Sequence, residues 1–411
     1  MSFLHFKGFH SSTRASAAGA TLSKAHHHQP IPDDVFPRGY LATGLYAGIK
    51  KNKVATTLEG GPKDLTLISS TSPRTSSAGC FTRNVFKAAP VQVSMEVLKK
   101  SGGRANKVIV NSGCANAVTG TKGLEDAWEV VRTTDLAVPP PSGSNLQEAS
   151  TLVMSTGVIG QLLPMSQVLS GIRTASGALS GPLASSATSN FSDWELAAKA
   201  FMTTDTFPKL RARSFKLPDT KDPKKTVLVR MAGIDKGAGM IHPNMGPPHA
   251  TLLGLLVTDA AVTPKSLQSA LTYAVSRSFN SISVDGDMST NDTILALANG
   301  AADPTMDEID ADQHPEAFKV FRDELTSFAI DLAKLVVYDG EGATKFVTVT
   351  VKVRLLLAPM LVTLIKTCWF EERAILSGCS SRGIDCIHIV AGEMCTLRRR
   401  REVRALSPFF I

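Results

Sequence analysis

The segment Lys236-Gly-Ala-Gly-Met-Ile-His-Pro-Asn-Met-Gly-Pro-Pro-His-Ala-Thr-Leu-Leu-Gly254 constrains the fold more than any other stretch of the chain. Its glycines and prolines keep the backbone irregular, because proline lacks an amide donor and glycine loses the most freedom on ordering. Directly downstream, Leu252 opens an apolar run to Val257 that reads as a buried strand. An irregular loop therefore feeds straight into a core strand, with Ala250-Thr251 at the junction. A peptide bond held in such a loop can be strained, and breaking it before a threonine leaves a hydroxyl and a free α-amine on one residue. The hydroxyl is then the nucleophile and the amine its built-in base. An α-amine titrates near roughly 7.7–8.0, so it accepts a proton at physiological pH. His249 would leave on the other fragment, and the amine makes it unnecessary as a base. On local chemistry alone, the same residues also read as a plain loop entering a strand.

Elsewhere, β-branched runs and period-two alternation predict strands over residues 40–49, 64–69, 107–110, 152–159, 227–234, 252–258 and 346–353. Apolar residues on a 3.6-residue period predict helices over 91–98, 125–133, 166–174, 194–202, 264–279 and 318–336. Residues 78–88 continue toward the first helix, Asn111-Ser-Gly113 breaks the strand before it, and 138–147 is a surface loop rich in Pro, Ser and Gly. No internal repeat is evident. The mixture supports an α+β or α/β fold without choosing the sheets.

At 411 residues and 43% hydrophobic content the chain can bury two or three domain cores. Nothing approaches the roughly 18–20 uninterrupted apolar residues of a membrane span; the most apolar run, 353–365, carries Arg354. The net charge of +8 is concentrated at the ends. Residues 1–32 hold Lys7, Arg14 and Lys24 and no acid, and from residue 353 onward nine Lys/Arg face five Asp/Glu. The middle is nearly neutral, with no basic face interleaved with aromatics, which argues against nucleic-acid binding. Residues 1–32, rich in Ser and Ala with Phe3, Leu4, Phe6 and Phe9 for an apolar face, have the composition of a mitochondrial presequence. His26-His27-His28 in a flexible arm offers no preset metal geometry. Cys80 and Cys114 stand apart from Cys368, Cys379, Cys386 and Cys395, whose spacings fit neither a CxxC pair nor a zinc pattern. We expect reduced thiols, no disulfide and no metal. Gly237-Ala-Gly239 matches no phosphate-loop motif, so no nucleotide is expected there.

Six segments carry a resemblance in order along the chain: Asn111-Ser-Gly-Cys-Ala-Asn-Ala117, Ser155-Thr-Gly-Val-Ile-Gly160, Met202-Thr-Thr-Asp-Thr-Phe-Pro-Lys209, the 236–260 segment, Ser283-Val-Asp-Gly-Asp-Met-Ser-Thr-Asn-Asp292, and Asp339-Gly-Glu-Gly-Ala-Thr-Lys345. Together they resemble the ornithine acetyltransferase family, the ArgJ proteins. The resemblance implies an α+β fold in which β-sheet layers lie between helices, with a smaller domain beside them. It implies self-cleavage between Ala250 and Thr251, giving an alpha chain over 33–250 and a beta chain from Thr251 to residue 352. Thr156 and Gly157 match the family's oxyanion-hole pair. Thr203, Lys236 and Glu341, with Thr251, match its substrate-binding positions. One fixed cation and one fixed anion suit a zwitterionic amino acid, Lys236 facing the carboxylate and Glu341 the amine of ornithine. The implied cycle is ping-pong: Thr251 takes acetyl from N-acetylornithine and passes it to glutamate, without a cofactor. Some members also accept acetyl-CoA. The family's cleaved chains stay together as a heterotetramer of two alpha and two beta chains, in eukaryotes within the mitochondrial matrix.

The resemblance stops near Val353. The family continues with a helical segment, an Asn-Trp-Gly-Arg-type motif and a terminal stretch that closes the substrate site. Here the chain instead runs Lys366-Thr-Cys-Trp-Phe-Glu-Glu-Arg373 and ends Ser407-Pro-Phe-Phe-Ile411. Residues 353–411 therefore read as the product of a frame change or a retained intron. Two rival functions remain: a self-processing aminopeptidase-like hydrolase with water as acceptor, and an inactive protein lacking one wall of its pocket.

Overall fold

Short apolar strand runs pair into two mixed sheets that face one another. The computed structural model describes residues 24–50, 61–144, 149–180, 188–242, 252–355, 358–365 and 386–393. Ala250, Thr251 and His249 lie outside the described residues, as do residues 1–23 of the expected presequence.

The strands are β1 (Tyr40–Leu45), β2 (Leu65–Ser70), β3 (Ser76–Phe81), β4 (Lys107–Cys114), β5 (Thr151–Val158), β6 (Lys209–Pro218), β7 (Thr226–Lys236), β8 (Leu253–Thr258) and β9 (Thr293–Ala298). The helices are α1 (Ala89–Lys100), α2 (Gly120–Ala137), α3 (Met165–Ser180), α4 (Phe191–Phe201), α5 (Pro264–Arg277) and α6 (Pro315–Tyr338). The first sheet runs β1-β2-β4-β5 and the second β3-β9-β8-β7-β6. Each holds one parallel pair, β4 with β5 and β8 with β9. A parallel pair needs a crossover, and α2 and α5 supply the two. A third sheet joins β10 (Lys345–Leu355) to β11 (Ala358–Ile365) and β12 (Cys386–Glu393), both antiparallel.

Alternation along β8 divides the core. Leu253, Leu255 and Val257 pack into the cluster shared with Ala42, Ile68 and Val110 of the first sheet. Leu256, on the opposite face, joins a second cluster with Leu271 of α5 and Phe321, Phe328 and Leu332 of α6. Side chains on a strand alternate faces, so this one apolar run is buried from both sides. The result is the expected α+β layering, with sheets between helices. Helix α4 begins at a capping box, in which Asn190 accepts from the Asp193 amide at 3.2 Å and Asp193 accepts from the Asn190 amide at 3.0 Å. Its Trp194, fully buried, stacks on Phe36 with centroids 5.8 Å apart.

Several expectations need correction. Asn111-Ser-Gly113 does not end its strand; β4 continues to Cys114 beside β5, with a bulge near Gly113. The stretch 78–88 does not lead smoothly into a helix, because Ser76–Phe81 is a strand of the second sheet. Strands β6 and β9 went unpredicted. Thr293–Ala298 is a six-residue apolar run too short to distinguish by period, and Lys209–Pro218 is a charged edge strand, as edges exposed to water commonly are. The histidines are no flexible arm either. Ala25–His27 forms a 3-10 turn in which His27 stacks on Tyr338 at 4.5 Å, and His28 Nε2 lies 2.9 Å from Glu195.

Candidate active site

The end of β5, the end of β7 and the start of β8 meet around one cavity of about 700 Å³. Thr156, Gly157, Thr203, Lys236 and Glu341, all expected from sequence, line it together. So do Leu252 and Leu253, the residues that follow Thr251 in the chain. The antiparallel register sets Lys236 opposite Leu253, the first residue of β8.

Gly157 shows why glycine is required here. Its φ is +126°, and a Cβ would sit 2.4 Å from the carbonyl carbon of Gly113, its register partner on β4. Only glycine lets the two backbones approach so closely at that dihedral. The end of β5 exposes Gly157 and presents Thr156 to the cavity. The Lys236 ammonium donates toward Thr156 Oγ1 at 3.4 Å. Lys236 is buried, and desolvation, opposed chiefly by the Asp205 carboxylate, lowers its pKa. It is not the surface lysine that sequence alone would allow. Glu341 is the more exposed wall, its carboxyl lying over the backbone of Gly239 and its amide donating to Ala238 O at 2.7 Å.

This constellation suits acyl transfer. A hydroxyl and a close-packed glycine backbone at the end of β5 face the cavity, and a cation and an anion lie on its wall beside them. Residues 42–354 match the ArgJ family. The chain belongs to that family. A mitochondrial arginine biosynthesis bifunctional protein ArgJ of Laccaria bicolor is 61% identical over 339 residues, 80% of this chain and 67% of that one. The protein of the same description from Coprinopsis cinerea is 58% identical over 355 residues, 84% of this chain and 70% of that one. Among solved structures, ornithine acetyltransferase from Mycobacterium tuberculosis, complexed with ornithine, is 32% identical, covering 52% of this chain and 96% of that one with a TM-score of 0.39. This ArgJ chain is an acyltransferase of arginine biosynthesis located in the mitochondrion.

Sequence reasoning missed the residues that hold the ArgJ site in shape. Asp205 accepts from the Thr203 amide at 2.8 Å, the Gly237 amide at 2.7 Å and the Lys209 ammonium at 2.6 Å. Lys209 also donates to Asp339 at 2.6 Å, and Asp339 accepts from the Thr206 amide at 2.9 Å. One buried Asp–Lys–Asp chain thus ties together the segments carrying Thr203, Lys236 and Glu341. Burial penalises the Asp205 carboxylate, but Lys209 and Lys236 more than offset this and hold its pKa well below the usual range. The same two carboxylates keep Lys209 charged against the cost of burial. Across the cavity, Asn291 donates to Ala115 O at 2.6 Å and Ser155 O at 2.8 Å, pinning the Thr156 strand end. Asp292 is pushed well up by burial, despite hydrogen bonds from Thr82 and Ser289. All of these except Lys209, the first residue of β6, lie in loops, where period carries no information; they stood inside the motif segments but had no visible partners. Cys80 and Cys114 are buried free thiols, the former pushed up to about 12 by burial.

Proposed function

We propose that this protein cleaves itself between Ala250 and Thr251 and moves acetyl from N-acetylornithine to glutamate. The observation that carries the reading is the convergence of Thr156, Gly157, Thr203, Lys236 and Glu341 on a cavity whose wall includes Leu252. In the first half-reaction the Thr251 oxygen attacks the acetyl carbonyl carbon while the α-amine takes the hydroxyl proton. Thr156 and Gly157 stabilise the oxyanion. The C–N bond breaks, the proton passes to the departing nitrogen, ornithine leaves, and an acetyl ester remains on Thr251. In the second, the glutamate amine attacks that ester, the threonine oxygen leaves and recovers a proton, and N-acetylglutamate departs. Lys236 holds the carboxylate of either amino acid, and Glu341 the side-chain ammonium of ornithine.

The cycle needs no cofactor, and acetyl-CoA enters only as an alternative acetyl donor. The cleaved alpha and beta chains stay associated and pair into a heterotetramer. Residues 353–411, at whose start the family match ends, arise from a change of frame or a retained intron. Electrophoresis and N-terminal sequencing test the cleavage: two fragments, the smaller beginning at Thr251, are expected. Acetyl transfer to glutamate, measured against release of free acetate, tests the acceptor. A single uncut chain that transfers acetyl at full rate, or a T251A variant that still does, would overturn the reading.

A further inference from the structure

The proposed cycle poses an electrostatic problem. One cavity must take an amino acid with a cationic side chain and then one with an anionic side chain. Glu341 serves the first and repels the second. Lys236 can pair with only one of glutamate's two carboxylates.

Among the described residues, the cavity wall has one other cation, Lys50. It stands near the start of the β1–β2 connection, tied to Asp64 at the connection's end, whose buried carboxyl accepts from the amides of Ala47 at 2.6 Å, Ile49 at 2.7 Å and Lys50 at 2.9 Å. Three backbone donors on one carboxylate fix the lysine backbone. Its side chain crosses the face of Gly113: a Cβ there would lie 2.9 Å from Lys50 Cγ. Gly113 is the register partner of Gly157, so Lys50 reaches the cavity alongside the end of β5. Among the described residues the ammonium donates to one neutral acceptor, Lys63 O, at 2.6 Å. Burial lowers its pKa to about 8 even with Asp64 nearby, so the ammonium is under-compensated for charge.

Asp285, Asp287, Asp292 and Glu341 come from loops around the second sheet, as does Lys236 at the end of β7, whereas Lys50 is the cation that comes from the first. Lys50 and Thr203 are shared with an adjoining cavity of about 790 Å³ that also has Lys63 and Lys199 on its wall and no acid among its described residues. Lys199 is already paired with Glu195 at 2.8 Å.

We propose that Lys50 binds the distal carboxylate of an α-amino dicarboxylic acid acceptor, and so selects the second substrate. The inference rests on the acetyl-transfer reading above. The donor's cationic side chain turns to the acidic loops and the acceptor's anionic side chain to Lys50, so the two half-reactions use opposite walls of one cavity.

The full-length protein tests this in two separable steps. Acetylation of the Thr251 fragment by N-acetylornithine, followed by mass, reads the donor step. Chasing the acetyl-enzyme with glutamate or its neutral isostere glutamine reads the acceptor step. K50M should raise the KM for glutamate about tenfold or more, the loss of one charge-assisted contact. It should leave donor acetylation and the KM for glutamine unchanged, and K50R should restore glutamate preference. An unchanged glutamate KM in K50M, or an equal loss with both acceptors or in the donor step, overturns the role of Lys50 alone. Wild-type protein that takes up no acetyl overturns the underlying function and this refinement with it.

Discussion

Replacing Lys209 by methionine removes the central charge of the buried chain while keeping a long, unbranched side chain. The Lys209 side chain is fully buried, and so are those of Asp205 and Asp339, each 2.6 Å from its ammonium. Removing one partner of a buried pair leaves uncompensated charge and costs about 3–5 kcal/mol. At roughly 2–4 °C per kcal/mol, Tm should fall by about 6–20 °C. The pH dependence gives the sharper test. In the wild type, Asp205 has a folded-state pKa below its unfolded value. Its stabilisation is therefore complete above the unfolded pKa of roughly 3.9 and is lost only as pH falls below that. Between pH 8 and 5 it contributes no slope. In K209M, burial acts on Asp205 without its nearest cation, so the carboxyl gains a proton in the folded state as pH falls. The Tm deficit should therefore be larger at pH 8 than at pH 5, in scanning calorimetry of both proteins. A deficit equal at the two pH values, or one under about 2 °C, would refute the claim that these charges pair in the core.

Thr156→Val removes one oxyanion donor and should lower kcat by about 100- to 1,000-fold with Tm unchanged, as read by steady-state acetyl transfer and calorimetry. Gly157→Ala forces a Cβ against Gly113 at a strained φ, so activity should drop at least as far and soluble yield should fall too. Asp235 is buried, neither carboxylate oxygen has a hydrogen-bond partner among the described residues, and burial raises its pKa well above the usual range. A raised carboxyl pKa costs stability as pH climbs past the unfolded value, so D235N should raise Tm at pH 8 and leave it nearly unchanged near pH 4. Comparing transcript with genomic exons tests the frame from residue 353 onward; an unbroken frame through Ile411 would defeat that proposal.

Most elements were legible because they rest on local pattern. The apolar run after Thr251 alternates into two cores as a strand must, and α5 and α6 begin within a few residues of their expected starts. The losses have physical causes. Asn111-Ser-Gly113 carries turn residues, yet pairing with β5 keeps it extended, so tertiary context overrode propensity. Strand β6 reads as polar because it is an edge, with one side in water. Lys236 could pass for a surface residue, since nothing near it in sequence announces that β8 and the Asp205 loop would bury it.

From the sequence alone came the α+β class, the family, and five residues that line one cavity. These are properties of contiguous segments, and a motif keeps its spacing whatever the rest of the chain does. Only the tertiary structure decided that Lys209 would bridge Asp205 to an aspartate 130 residues away, or that Lys50 would cross Gly113 to reach the cavity beside Gly157. Charges far apart in the chain acquire an energy only when folding removes the water between them, and no local pattern records that distance.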